Sequence, residues 1–247
     1  MMGMVVLAVA AFCAGGLNAV AGGGTFLTFP ALVMIGVPPI PANATSAIGV
    51  LPGYLSSAVS FRRDIGPVRG IGVPGLVAIG LVGGLGGALL LLVTPADAFS
   101  RLVPWLLLAA TALFAAGPRL TRWLRGRGAE GRLSAALGLL AVSVYGGYFN
   151  GGLGILLLAL FSLLGLTDIN TMNGLKNVLS AVLAAIASVA FAVAGIVSWP
   201  EAGVIMVAST IGGYVGGTLS RRIPAPWLRA GIVAIGLVMS AIFFVKS

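Results

Sequence analysis

The feature that most restricts this chain is the length and spacing of its apolar runs. Breaks at polar or Pro/Gly-rich joints leave apolar segments at 2–21, 25–37, 42–61, 71–93, 101–117, 133–149, 152–166, 171–197, 200–220 and 226–245. A hydrocarbon core is crossed by about 20 helical residues at about 1.5 Å each, and most of these runs approach that length. Residues are 59% hydrophobic and 8% charged, with a mean hydropathy of +1.14, so no stretch has the charge density of a water-soluble domain. Only fully hydrogen-bonded helices or closed barrels cross lipid, and segments of this length and pattern are helical. The expectation is an all-α, polytopic membrane protein. The opening MMGMVVLAVAAFC lacks the basic stretch of a secretory signal, so the first helix is expected to be retained.

The net charge of +9 would suggest nucleic acid in a soluble protein, but here the arginines sit in short loops, where they set insertion polarity. Loop 62–70 carries Arg62, Arg63 and Arg69; loop 118–132 carries Arg119, Arg122, Arg125, Arg127 and Arg132; loop 221–229 carries Arg221, Arg222 and Arg229. These three loops are expected in the cytoplasm. The alternating loops around Asp97 and Glu201 hold only Arg101 and are expected outside, as are both chain termini, with Lys246 near the second. The segments at 25–37 and 152–166 are too short to span comfortably, and each follows a Gly-rich break, the pattern of a hairpin or re-entrant element; whether either crosses fully is left open by the sequence.

Counted back from those loops, segments 2–21 and 25–37 enter from and return to the outer face, whereas 133–149 and 152–166 enter from and return to the cytoplasm. The sequence repeats at an offset of about 130 residues: GGLNAVAGGGTFLTFPALVMIGVPPIPANATS (15–46) parallels GGYFNGGLGILLLALFSLLGLTDINTMNGLK (146–176). The division expected is a first repeat at 1–117, a basic cytoplasmic linker at 118–132, and a second repeat of opposite orientation at 133–247. Inverted repeats with short, Gly-interrupted segments at matching places indicate a secondary transporter whose site lies near the midplane.

Candidate ligand donors follow from the same places. Asn18 with Gly22, Gly23, Gly24 and Thr25 marks the first break; Asn150 with Gly147, Gly151, Gly152 and Gly154 marks the second. Close helix packing explains many such glycines. Unwound backbone with exposed N–H groups would instead suit an anion, and the matched asparagines favour that reading. Asn43, Thr45 and Ser46 open the helix at 44–61, where Asn43 also reads as an N-cap, and Asn173, Lys176 and Asn177 hold the equivalent place in the second half. Lys176 is near enough to a helix start to snorkel to the interface, but an ionisable residue inside a span more often lines a pathway, so it is taken as an anion ligand. Asp168 is assigned to capping the next helix. Gly83, Gly84, Gly86 and Gly87, matched by Gly212, Gly213, Gly216 and Gly217, are assigned to packing or hinging.

Catalysis has little to stand on. The chain has no His and a single cysteine, Cys13, which excludes a disulfide within it and any Cys/His metal or catalytic set; neither a cofactor nor a metal is expected. Its five acids, Asp64, Asp97, Glu130, Asp168 and Glu201, fall in loops or at interfaces, so no proton relay is visible.

The run from Asn18 to Leu32, the Ala42–Ser46 turn and the second-half Gly152–Gly154 run resemble the sulfite exporter TauE/SafE family of membrane permeases over essentially the full length. That resemblance implies a multi-pass transporter of sulfite, organosulfonates or related small anions in a bacterial-type cytoplasmic membrane, and it maps a family lysine onto Lys176. The function expected is alternating-access transport of a small anion, with membrane lipids as surroundings and no nucleic acid. A passive anion channel would use the same donors but could not show counterflow. A non-transporting scaffold binding a partner through 118–132 would bind no anion. The residues leave open the substrate, the direction, whether a proton or sodium ion couples, and assembly into a homo-oligomer.

Overall fold

The computed structural model describes residues 2–20, 23–63, 65–124, 131–219 and 225–246. Gly22, Asp64, Arg125, Arg127, Glu130, Arg221 and Arg222, named above, lie outside the described residues, as do the side chains of Arg122, Arg229 and Lys246. The described residues form helices α1 (Met2–Val20), α2 (Thr25–Met34), α3 (Pro39–Ser60), α4 (Val73–Val93), α5 (Ala96–Leu124), α6 (Arg132–Tyr148), α7 (Leu153–Leu163), α8 (Ile169–Val193), α9 (Trp199–Leu219) and α10 (Ala225–Lys246). No β-strand forms among the described residues beyond a bridge between Val68 and Ile71. The architecture is all-helical.

Large apolar side chains cover the outside of the bundle as well as filling its core. Val5, Val9, Val82, Leu90, Trp105 and Val207 are exposed, whereas Asn18, Thr28, Asn43, Thr45, Asn150 and Lys176 are buried. Polar groups gathered inside an apolar exterior suit a lipid surround. α4 and residues 170–193 of α8 are long and apolar enough to cross a bilayer. α2 and α7, with 10 and 11 residues, are about 15 and 17 Å long and fall short of a span, as the break pattern predicts.

Several boundaries differ from those expected. α3 starts at Pro39 and not beyond Ala42, because prolines at 39 and 41 occupy the first turn, where a missing N–H costs nothing. Asn43 therefore lies inside α3 and is not its cap. α5 starts at Ala96, placing Asp97 in its first turn and Arg101 on the helix instead of in a loop. It also runs on to Leu124, so Arg119 and Arg122 are helical and not part of a linker; leucine and arginine are good helix formers, and arginine suits a helix C-terminus. Glu201 likewise sits in the first turn of α9, where a carboxylate faces the positive end of the helix dipole.

Helix pairs join distant parts of the chain. α1 packs along α9 and α4 along α6; α3 packs on α8 and α9, α8 on α4, α5 on α7 and α10, and α2 on α10. Lipid gives helices little hydrophobic drive to associate, so close contact through small residues carries the packing. A methyl group on Gly212 would strike the Phe12 carbonyl, and one on Gly15 the Ser209 carbonyl. Likewise Gly87 abuts the Val144 carbonyl and Gly147 the Gly84 carbonyl. The packing role expected of the 83–87 glycines thus fits Gly83, Gly84 and Gly87, whereas Gly86 faces open space.

Candidate functional site

Both Gly-rich breaks interrupt helices. The first separates α1 from α2 and the second separates α6 from α7. Gly152, the residue before α7, has φ +73, a left-handed conformation that disfavours any side chain, and its carbonyl accepts from the N–H groups of Ile155 and Leu156. Asn18, in the last turn of α1, accepts at Oδ1 from the Gly24 N–H at 2.7 Å. That bond closes the first break and satisfies a donor that the start of α2 leaves free.

The two breaks meet. The Thr25 hydroxyl donates to the Asn150 carbonyl at 3.0 Å. A methyl group on Gly23 or on Gly152 would approach the Phe26 ring to 3.2 Å, so both buried glycines make room for one aromatic side chain. Asn43 Nδ2 donates to the Tyr148 carbonyl at 3.0 Å, and the Tyr145 hydroxyl to the Gly151 carbonyl at 2.6 Å. Unwound carbonyls that lipid could not solvate are satisfied by side chains from both parts of the chain.

The remaining first-half donors are also tied down. Thr28 and Ser46 lie hydroxyl to hydroxyl at 2.6 Å. Thr45 Oγ1 accepts from the Ser198 N–H at 3.0 Å, just before α9. Sequence reasoning missed Thr28, Tyr145 and Tyr148. Thr28 was within reach of it, since it lies three residues after Thr25 and so on the same helix face.

α8 is arranged differently. Asp168 caps it as expected, Oδ2 accepting from the Thr171 N–H at 2.8 Å and the Thr171 hydroxyl at 2.7 Å. These bonds from Thr171, side chain first, hold the exposed carboxyl below the usual carboxylate range. Further along, Lys176 is 0% exposed, and Nζ donates to Asn173 Oδ1 at 3.1 Å. Among the described residues it forms no ion pair with a carboxylate. Burial rules out snorkelling. Asn177 is also 0% exposed, and neither its Oδ1 nor its Nδ2 has a partner; Asn150 Oδ1 and the Ser180 hydroxyl, one turn beyond Asn177, are likewise buried and unpaired.

A buried polar group without a partner costs about 1–3 kcal/mol, and an uncompensated cation costs more. The hydroxyls of Ser143, Ser162 and Ser188 are buried and unpaired as well, but Lys176 and Asn177 are the adjacent residues that combine a buried cation with an amide unbonded at both ends. At about 100° per residue, Asn177 shares a side of α8 with Ala181 and Ala184. Those alanines belong to the cluster that includes Ala44, Ala47 and Val50 of α3. The structure thus divides the predicted residues into two sets. Asn18, Thr25, Asn43, Thr45 and Ser46 hold breaks and helix starts together, with Gly23, Gly24 and Gly152 shaping the turns. Lys176 and Asn177, with Asn173 orienting the ammonium and Asn150 Oδ1 unpaired, keep bonding capacity in reserve. A buried positive charge on a helix whose next residue carries an unbonded amide suits a small oxygen-rich anion.

Residues 7–243 match the sequence pattern of the sulfite exporter TauE/SafE family. The chain is 28% identical over 237 residues to the probable membrane transporter protein YfcA of Escherichia coli K12, covering 96% of this chain and 87% of that one. It is 29% identical over 246 residues to a probable membrane transporter protein of Haemophilus influenzae, covering 96% and 93%. Over 114 residues it is 33% identical to the probable membrane transporter protein ORF9 of a Sinorhizobium species, covering 46% and 43%. No solved structure matches the chain.

Proposed function

The chain belongs to the sulfite exporter TauE/SafE family, and from that membership we propose that it is a secondary transporter that moves a small anion across the cytoplasmic membrane by alternating access. The substrate is sulfite, an organosulfonate or a related small anion. One observation carries the reading: Lys176, fully buried without a carboxylate partner among the described residues, adjoins Asn177, whose amide is buried and unbonded at both ends. An anion seated there would neutralise the ammonium and fill the vacant bonds. The starts of α2 and α7, brought together through Thr25 and Asn150, add the positive ends of two helix dipoles to the same preference.

Two inverted repeats, 1–117 and 133–247, joined through 118–132, account for the way the helices pair. If α1–α5 correspond to α6–α10, the pairing of α1 with α9 has its counterpart in α6 with α4. In the same way α3 with α9 corresponds to α8 with α4, and α5 with α7 to α10 with α2. The loop bearing Arg69 bonds to the turn after α7, which supports placing both on the cytoplasmic side. Both termini then face outward. Rocking one repeat against the other would expose the Lys176 region to each side in turn.

Counterflow in proteoliposomes tests this. Vesicles preloaded with unlabelled sulfite or a sulfonate should transiently concentrate external labelled anion, and Lys176→Ala should abolish the overshoot. Flux that only dissipates a gradient would identify a channel, and unchanged transport by Lys176→Ala would remove Lys176 from the site.

A further inference from the structure

The connection between α3 and α4 doubles back at a two-residue turn. Val68 and Ile71 exchange backbone hydrogen bonds of 3.0 and 2.9 Å, and the two residues between them, Arg69 and Gly70, have φ +47 and +76. Positive φ at both central positions is the type I′ pattern, which favours Asn, Asp or Gly at the first. Arg69 is, among the described residues, the one non-glycine with positive φ. A residue so unsuited to its backbone implies a use for its side chain.

That side chain reaches the turn after α7. Arg69 Nε donates to the Leu164 carbonyl at 2.7 Å. α7 ends in a Schellman motif: Gly165 N–H bonds to the Ser162 carbonyl and Leu166 N–H to the Phe161 carbonyl, each at 3.0 Å. Arg69 takes the carbonyl of the capping residue itself. A methyl group on Gly165, at φ +83, would lie 2.9 Å from Arg69 Nη2, so glycine there leaves room for the guanidinium. The same connection also covers the start of α8. Gly174, two residues before Lys176, is packed so closely that a methyl group would lie 3.1 Å from Ile65 and 3.2 Å from Phe61. The matching turn after α2, at Gly36, meets open space.

We propose that Arg69 is the latch of a gate at the arginine-bearing end of the bundle. Its bond to the Leu164 carbonyl holds residues 61–63 and 65–71 across the turn after α7 and the start of α8, and so closes the Lys176 region toward that end. Breaking the bond frees the connection to swing away. Arg69 is a positioning residue and touches no substrate. The inference rests on Lys176 and Asn177 forming the anion site.

The test uses the full chain with Cys13→Ser and Ser180→Cys, reconstituted and labelled by a membrane-impermeant thiol reagent from each side in turn, with and without sulfite. Arg69→Gln and, independently, Gly165→Ala should each speed labelling from the arginine-bearing side at least fivefold and leave the opposite side unchanged or slower. Arg69→Lys keeps the charge but has no Nε–H at that position, and should behave like Arg69→Gln. Unchanged labelling from the arginine-bearing side, or an equal rise from both sides, would overturn the latch; if sulfite still protected the cysteine, the site would stand. A cysteine that is never labelled, or never protected by sulfite in any background, would remove the site and the latch with it.

Discussion

The hydroxyl of Thr25 and the backbone carbonyl of Asn150 share a 3.0 Å hydrogen bond between residues 125 positions apart in the chain. It joins the first helix break to the second, inside a protein where water cannot replace it. Thr25→Val keeps the shape and removes the donor, leaving one side of the Asn150 carbonyl unsatisfied. The expected loss is about 1–3 kcal/mol of stability, read as a lowered unfolding temperature in detergent. Thr25→Ser should recover most of it, and a valine variant as stable as the parent would show that the bond contributes nothing.

Lys176 should separate stability from transport. Methionine matches the lysine stem in length and removes a buried charge that lacks a carboxylate partner among the described residues. Replacing such groups by apolar ones is often neutral or stabilising. Lys176→Met is therefore expected to melt at or above the parental temperature while losing at least about tenfold in transport and all sulfite-dependent thermal shift, since ligand stabilisation follows saturation. Asn177→Leu should follow the same pattern more weakly. A methionine variant that unfolds at lower temperature would make Lys176 a structural residue.

Glycines at helix crossings should differ sharply from their neighbours. Gly87→Ala drives a methyl group into the Val144 carbonyl of α6, whereas Gly86, one residue earlier, faces open space. Overpacking of this kind costs about 1–3 kcal/mol or more, while alanine in an open helical position gains about 0.5–1 kcal/mol. Monodisperse yield on size exclusion should fall for Gly87→Ala and hold or rise for Gly86→Ala. Equal behaviour of the two would contradict the packing.

Asp168 gives a pH dependence at the start of α8. Its carboxyl is held below its usual range by Thr171, so its contribution is complete above the ordinary carboxylate pKa and is lost as pH falls through the lowered folded value. Between about pH 5 and 2 the parent should therefore lose stability that Asp168→Asn, which has no titrating carboxyl, does not lose. Parallel melting curves for the two across that interval would show that the cap does not titrate with folding.

What the sequence made legible was whatever depends on local chemistry. Three consecutive glycines after Asn18 cannot sustain a helix, Asp168 two residues before Asn170 is a strong cap, and a lysine within an apolar helix draws attention by cost alone. Hidden from it were the tertiary choices. Asn43 resembled a cap, but the prolines before it move the helix start, and its amide reaches Tyr148 instead. Asn18 and Asn177 were both read as ligand donors, yet one bonds Gly24 and the other bonds nothing. Arg69 was read only as a topological charge, because neither its backbone conformation nor its bond to Leu164 leaves a mark in composition.

The seam between α1 and α9 bears on how the protein is made. Gly15 and Gly212 let these helices touch backbone to backbone, yet nearly 200 residues separate them, and ribosomes add about 5–20 residues per second. α1 must therefore wait about 10–40 s for α9 after it is made, holding its grooved face against lipid or an insertion chaperone meanwhile. This seam is therefore closed from the C-terminal side, and a nascent chain cut short before α9 leaves α1 unmatched, a ready mark for membrane quality control.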